Sequence, residues 1–472
     1  MTRHAHRHYA IHFGLALSAV MVFLAGCAVG PNYRRPSVSV PDSYRGASGE
    51  APAGQALSLG DQKWPEVFQD EQLQKLIEAA RQQNFDVRIA AARILQAEAQ
   101  LGVTRADQFP TLDAGAEVNN QRTAQSRFSA FETSQSGLSL RGAWELDFWG
   151  KFRRATEAAR ASLLASEWAH RAVISTLVAD LASSYFRLRE LDLELEISRR
   201  TLASRQESLR LIQDLANQGL TSMLDVRQAE QLVFTAGARI PELERQIEQR
   251  ENLISTLLGS NPSPMPRGRM LTEQPHAPEL PAGIPASLLE RRPDIQQAEA
   301  QLIAFNARIG VARAAYFPQI SLTGTGGFRS SALGSLFSGP AGMWNVVGGL
   351  TQPVFAASRI RSGVQLAQAQ QQEALLVYEQ TIQRAFREVS DALVAYRRKQ
   401  EFRQQQDLLT QAAQEASRLS ETRYRAGLTS YLEVLTNETN HFSAELGLAQ
   451  ARVEELEALV QLYRALGGGW QP

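Results

Sequence analysis

The chain has 472 residues, 49 Lys and Arg against 49 Asp and Glu, seven histidines and one cysteine. Four histidines (His4, His6, His8, His12) fall in the first dozen residues and leave only His170, His276 and His441 downstream, which excludes zinc sites built from Cys/His clusters and a disulfide framework. A formal charge of zero argues against a nucleic-acid partner, and 44% hydrophobic with 21% charged residues excludes compositional disorder. Length alone suggests about three ordinary domains. The 7% aromatic content instead favours long helices rich in Ala, Leu, Gln, Glu and Arg.

Arg3 and Arg7 precede an apolar run over 13–26, shorter than the ~20 residues a membrane helix needs, and together they read as a secretory signal peptide. Leu24-Ala25-Gly26-Cys27 resembles the bacterial lipobox, with the only cysteine where that pattern requires it. An acylated Cys27 ties the N-terminus to a membrane surface through buried methylenes. Ala28, rather than Asp, follows it, and by resemblance to enterobacterial sorting rules this permits transport to the outer membrane. Removing 1–26 takes away two arginines and no acids, so the remainder is slightly acidic. No later stretch reaches the ~18 apolar residues of a spanning helix, so a chain that crosses a membrane does so as a β-barrel.

The remainder is a duplication with an offset of 208 residues. Leu101-Gly-Val-Thr-Arg-Ala-Asp-Gln-Phe-Pro110 returns as Ile309-Gly-Val-Ala-Arg-Ala-Ala-Tyr-Phe-Pro318, Gly219-Leu-Thr-Ser-Met-Leu-Asp-Val226 as Gly427-Leu-Thr-Ser-Tyr-Leu-Glu-Val434, and Leu258-Gly259 as Leu466-Gly467. Each copy opens with a predicted helix, over 84–109 and 294–317, stopped by Pro110 and Pro318. Two strand-like segments follow, separated by a polar loop. A very long helix comes next, over 152–216 and 358–424, then a glycine turn and a helix over 222–258 and 430–466. Pro241 inside the last helix of the first copy predicts a kink.

The long helices carry a strict seven-residue spacing. Ile174, Leu181, Leu188, Leu195, Leu202, Leu209 and Ala216 form one row; Val226, Val233, Ile240, Ile247 and Ile254 form another, with Ala229, Ala236 and Leu243 three residues on. Leu432, Thr439, Leu446, Val453 and Val460 pair with Leu435, Phe442, Ala449, Leu456 and Tyr463. This period predicts antiparallel coiled coils. A helix of ~65 residues is ~98 Å long, and the two shorter helices of a copy, stacked end to end, match it.

The strand segments 111–120, 136–148, 319–329 and 344–355 alternate. Leu112, Ala114, Ala116 and Val118 oppose Asp113, Glu117 and Asn119; Leu138, Leu140, Trp144, Leu146 and Phe148 oppose Ser139, Arg141, Glu145 and Asp147; Ile320, Leu322 and Phe328 oppose Ser321, Thr323 and Thr325. Any half-wet sheet reads this way. On an exported, lipid-anchored chain, with Phe109, Trp144, Trp149, Phe317 and Phe355 at the strand ends, it resembles an outer-membrane barrel. Four strands cannot close: two copies give eight and a filled interior, three give twelve and a channel, and the residues alone leave both open.

With the cysteine and the duplication stand further motifs: Gly30-Pro-Asn-Tyr-Arg-Arg-Pro36, Trp64 with Phe68-Gln-Asp-Glu-Gln-Leu73, Trp144-Glu-Leu-Asp-Phe-Trp-Gly-Lys151, Arg291-Arg-Pro-Asp-Ile295 with Ala298-Glu299, and Arg423-Tyr-Arg-Ala-Gly-Leu-Thr-Ser-Tyr-Leu-Glu-Val-Leu435. In this order the chain resembles the TolC-like outer-membrane efflux factors, and among them the OprM/NodT-type lipoprotein subfamily. The resemblance covers Cys27 to Gly469. It implies a mainly α fold with a membrane β part: a homotrimer whose helical hairpins form an α-barrel beneath a twelve-stranded β-barrel, four strands per protomer. The implied division is a lipoprotein signal peptide at 1–26, a lipidated N-terminal linker at 27–62, a first efflux repeat at 63–260, an inter-repeat linker at 261–286 and a second repeat at 287–470.

The resemblance implies a passive exit duct in the outer membrane of a Gram-negative bacterium, docked to a periplasmic membrane-fusion adaptor and an inner-membrane pump of the RND multidrug type. The alternatives are a type I secretion channel or a non-conducting coiled-coil scaffold. It places adaptor docking on the turns Gly219-Leu220-Thr221 and Gly427-Leu428-Thr429, whose glycines also suit helix C-caps and whose following serines, Ser222 and Ser430, suit N-caps. Tyr424 and Asp225 match a tip latch, Leu432 a hydrophobic constriction and Glu433 one acid of a ring. Thr429 stands where the family has a latch arginine, and Thr436 where it has a second ring acid. Apart from covalent lipid on Cys27, no cofactor or metal is implied. Catalytic motifs are missing: there is no H-E-x-x-H, no G-x-S-x-G and no Walker loop. Glu145 and Asp147 fit a wet strand face better than a hydrolase pair, and Gly324, Gly326 and Gly327 fit strand curvature or packing.

Overall fold

The computed structural model describes residues 28–45, 58–126, 129–275 and 285–471. Cys27, the expected lipidation site, lies outside these residues, as do the expected signal peptide and part of the inter-repeat linker. The helices are α1 (Trp64–Val67), α2 (Glu71–Gln83), α3 (Phe85–Ala106), α4 (Lys151–Asn217), α5 (Met223–Leu257), α6 (Pro285–Arg291), α7 (Pro293–Ala314), α8 (Arg359–Arg425) and α9 (Tyr431–Ala465), and the strands β1 (Thr111–Ser126), β2 (Ser129–Glu145), β3 (Gln319–Ser330) and β4 (Gly342–Thr351). Among the described residues no helix is long and apolar enough to cross a membrane. Two compact units result: Met1–Ser37, Arg93–Ser166 and Gln297–Tyr378 in one, Val38–Ala92, Glu167–Gln296 and Glu379–Pro472 in the other.

The first unit holds an antiparallel sheet in the order β1-β2-β3-β4. Its register puts the apolar residues of all four strands on one face: Ala114 opposes Leu140, Leu138 opposes Phe328, Trp144 opposes Leu322, and Ile320 opposes Leu350. Among the described residues most of that face is uncovered; Trp344 is 82% exposed, and Leu112, Leu140, Val346 and Leu350 are exposed with it. Gly327 is the glycine that a close approach requires, since a Cβ there would collide with the Leu138 carbonyl, whereas Gly326 faces open space.

β1 and β2 run on to Ser126 and from Ser129, past the expected 120 and 136, and four element ends fall short of expectation. Helices α3 and α7 end three residues early, in tighter i to i+3 bonds from Phe109 N–H to Ala106 and from Phe317 N–H to Ala314, because the following proline biases its predecessor away from helix. Strand β2 stops at Glu145 rather than at 148: the Asp147 carboxylate turns back to accept from the Arg153 N–H (2.9 Å) and so anchors the start of α4. Strand β4 stops at Thr351, two residues short of Pro353, which has no N–H for a ladder.

At the foot of the strands the indole of Trp149 stacks on Phe317 (4.7 Å) and donates to the Pro318 carbonyl (2.7 Å), and Trp144 donates to Gln108 (3.0 Å). The Gly30–Pro36 motif is a strap on the same unit. Val29 N–H donates to the Trp149 carbonyl (2.9 Å), Tyr33 and Arg35 both donate to Glu299, and Asn306 donates to Pro31. Gly30, at φ +110°, lies against Gly310, where any Cβ would clash.

In the second unit the expected coiled-coil row on α5 is buried at Val226, Ala229, Val233, Ala236, Leu243, Ile247 and Ile254, while Ile240 is only half-buried. Pro241 sits within α5, which remains one helix. The short helices do stack end to end. Asn84 caps α3 while its amide donates to the Leu257 carbonyl of α5 (2.8 Å), and Arg292, before α7, donates to the Ala465 carbonyl of α9 (3.1 Å). Asp70, buried at 1% exposure, caps α2 and also accepts from the Tyr185 hydroxyl, the Arg269 N–H and the Gln274 amide. The described part of the inter-repeat linker is therefore packed onto the helices, with Met265 and Leu271 buried.

Candidate functional site

The two tips, both in the second unit, are built alike. At the end of α4 the Gly219 N–H bonds the Ala216 carbonyl and the Leu220 N–H that of Leu215; at the end of α8 Gly427 and Leu428 bond Tyr424 and Arg423, each at 2.9 Å. These are Schellman turns, and they need the left-handed backbone that Gly219 (φ +72°) and Gly427 (φ +71°) adopt. The turns aim Leu220 and Leu428 into solvent, joined by exposed Met223, Leu224 and Leu432.

Behind each glycine a threonine clasps an acid four residues on. The Thr221 hydroxyl donates to Asp225 Oδ2 (2.6 Å) and the Thr429 hydroxyl to Glu433 Oε2. Asp225 also accepts from the Ser222 hydroxyl (2.9 Å) and N–H, completing a capping box. These donors, Thr221 foremost, hold the Asp225 carboxyl below its ordinary value. The second tip departs from expectation here: Ser430 occupies the N-cap position, but its side chain caps nothing. The longer Glu433 side chain reaches to Thr429 and to Arg423 Nε (3.4 Å) instead.

The latch pair meets through an intermediary. The Tyr424 phenol lies toward the Thr221 hydroxyl, whose own proton goes to Asp225, so Thr221 stands between the two members of the latch. Tyr424 packs beside the Tyr431 ring (5.5 Å) against a core of Ile212, Val226, Ala229 and Val434. Burial pushes both phenols above their ordinary values. The Thr436 hydroxyl is turned back onto the Leu432 carbonyl (2.8 Å).

Sequence reasoning missed two arginines. Arg423 pairs with Glu433 from ten positions upstream, a distance only a helix–turn–helix reversal spans. Arg205 of α4, nearly fully buried, donates to the Leu232 carbonyl of α5 (2.9 Å) and lies over the Phe442 ring of α9 (5.0 Å), so it joins three helices. Arg423 opens one of the quoted motifs, but nothing in it marks the pairing with Glu433, and Arg205 belongs to no motif; only their surroundings mark their roles. Among the described residues no group of His, Cys, Asp and Glu is arranged to hold a metal.

The family model described as outer membrane efflux protein matches residues 76–260 and 284–468, two stretches again 208 residues apart. The solvent efflux pump outer membrane protein SrpC of Pseudomonas putida is 38% identical over 95% of this chain and 97% of its own length. The cation efflux system protein CusC of Escherichia coli is 34% identical over 96% and 98%. Among solved structures, the open state of the MtrE outer membrane channel of Neisseria gonorrhoeae superposes with a TM-score of 0.86 at 31% identity, covering 94% of this chain and 99% of that one.

Proposed function

The chain belongs to the outer membrane efflux protein family, and on that basis we propose that three copies close into one duct, gated at its helical tips and docked there to a periplasmic adaptor and an inner-membrane pump of the RND type. It is an outer-membrane efflux channel of TolC-like fold, not an enzyme, and it serves as the exit component of a tripartite efflux system.

The sheet carries the proposal of closure. It has four strands, an exposed apolar face, an opposite face bearing Asp113, Arg141 and Thr325, and two unpaired edges, β1 and β4. Open strand edges are not tolerated in hydrocarbon, so the edges pair with other copies. The apolar row from Ile320 to Phe328 runs ~26 Å along the strand at ~3.3 Å per residue, on the scale of the ~25 Å apolar band of outer-membrane barrels. Three copies make twelve strands, enough for an aqueous lumen.

Cys27 is the lipidation site in this reading. The hydrogen bond from Val29 to Trp149, at the foot of the strands, supports it by holding the chain just beyond the cysteine beside the membrane-facing sheet. Residues 1–26 are the signal peptide, 27–62 the lipidated segment, 63–260 and 287–470 the two repeats and 261–286 their connection. The exposed leucines and the left-handed glycines of Gly219-Leu220-Thr221 and Gly427-Leu428-Thr429 support docking at the tips. The gate comprises the Tyr424–Thr221–Asp225 latch, Leu432 as constriction and Glu433 as the ring acid. Relatives named for solvent and for cation efflux share the fold, so the cargo is set by the pump.

Two experiments test this. The purified protein reconstituted in planar bilayers conducts as a trimer; a protein that inserts without conducting removes the duct. Bulky substitutions at Gly219 and Gly427 abolish crosslinking to the adaptor while the trimer stays intact, and undisturbed crosslinking removes the docking assignment.

A further inference from the structure

We propose that Arg423 sets the ion selectivity of the gate by masking the charge of Glu433 on its own protomer. The inference rests on reading Glu433 as the ring acid. Glu433 sits in the first turn of α9 with both oxygens engaged by its own hairpin: Oε2 accepts from the Thr429 hydroxyl, and Oε1 faces Arg423 Nε at 3.4 Å. Arg423 is held in place through its carbonyl, which accepts the Leu428 N–H of the Schellman turn. Its guanidinium therefore accompanies the tip rather than arriving from a distant helix.

Three carboxylates around an axis attract cations. Three carboxylates each beside a guanidinium present dipoles, whose field fades within a few ångströms of the pair. The neighbouring cation is not a rival for this role, because Arg425 is taken by Glu421 on the outgoing turn of α8. The duplication sharpens the assignment. At the first tip the positions 208 residues earlier are Leu215 and Asp225, so that acid has the threonine clasp and no arginine. The counter-charge belongs only to the hairpin that carries the ring acid. Both partners are half-exposed, 54% and 41% by side chain, and an exposed pair of this kind is readily parted.

The experiment is a reversal-potential measurement on the full-length trimer in planar bilayers under a KCl gradient. Arg423→Gln raises the cation-to-anion permeability ratio at least ~2-fold, as expected for a fixed charge freed in a confined pore. Arg423→Lys keeps the wild-type ratio, and Glu433→Gln lowers it below wild type. If Glu433→Gln leaves the ratio unchanged, the ring reading fails and the inference fails with it. If Glu433→Gln lowers the ratio while Arg423→Gln does not raise it, the masking role alone is overturned. Should Arg423→Gln not assemble, Arg423→Cys labelled in the folded trimer with a cationic or a neutral thiol reagent separates charge from shape: only the cationic label returns the ratio to wild type, and equal effects of the two labels refute masking.

Discussion

Replacing Glu190 by glutamine tests how the long helices hold a buried charge. Glu190 lies on α4 at 1% exposure, with Oε2 3.2 Å from Arg187 Nε but without hydrogen-bond alignment. Burial is the dominant cause that lifts its carboxyl from 4.5 to about 7; Arg187 opposes the shift, while Glu194 and Glu457 reinforce it. An acid whose folded pKa is raised stabilises the fold while protonated. That contribution is complete below about 4.5 and is lost as pH climbs through about 7. At 1.36 kcal/mol per pKa unit the span amounts to roughly 3 kcal/mol. The Glu190→Gln side chain is neutral at every pH and has nothing to lose. Guanidinium unfolding of the detergent-solubilised protein, followed by tryptophan fluorescence at pH 5 and pH 8, therefore shows the wild type losing stability relative to the Glu190→Gln variant by up to that amount. Asp180 and Glu438 are also raised by burial, but they titrate alike in both proteins and cancel in the difference. Parallel pH profiles for the two proteins would refute the reasoning.

Asp70→Ala removes a helix cap and strands three donors, the buried Tyr185 hydroxyl and Gln274 amide and the part-buried Arg269 N–H; at ~1 kcal/mol for each loss it lowers unfolding stability by about 4 kcal/mol, and a cost below ~1 kcal/mol contradicts the hub assignment. Gly327→Val drives a side chain into the Leu138 carbonyl and blocks barrel assembly, while Gly326→Val, which points into open space, leaves trimer yield on gels unchanged. Thr221→Val removes the hydrogen bond to Asp225, at ~1 kcal/mol, and Tyr424→Phe removes the phenol beside it; each raises resting conductance and uptake of large antibiotics. The double variant adds little to either, because both act on the same latch.

Much of this architecture is legible in residue order because its signals are local and repeated. Pro110 and Pro318 stop helices at equivalent places, Gly219 and Gly427 stand where helices need a left-handed cap, and the seven-residue rows on α5 mark a buried seam. The candidate site is legible only in outline. Tyr424 and Asp225 announce a latch, but Thr221 as its middle member and Arg423 as the partner of Glu433 depend on how side chains settle across a turn. The Ser430 cap failed for the same reason: one extra methylene in Glu433, relative to Asp225, redirects the carboxylate.

Residue order alone established the duplication, the succession of helices and strands, the amphipathic faces and the four-strand deficit that calls for partners. All of these follow from backbone geometry and the periodicities of 2 and 3.5 that it imposes on apolar residues. Packing in three dimensions was needed for the strand register, the residues that join α3 to α5 and α7 to α9, the burial of Asp70 and Glu190, and the partners of each tip acid. Those depend on distances between residues far apart in the chain, where a shift of a few ångströms separates a hydrogen bond from none.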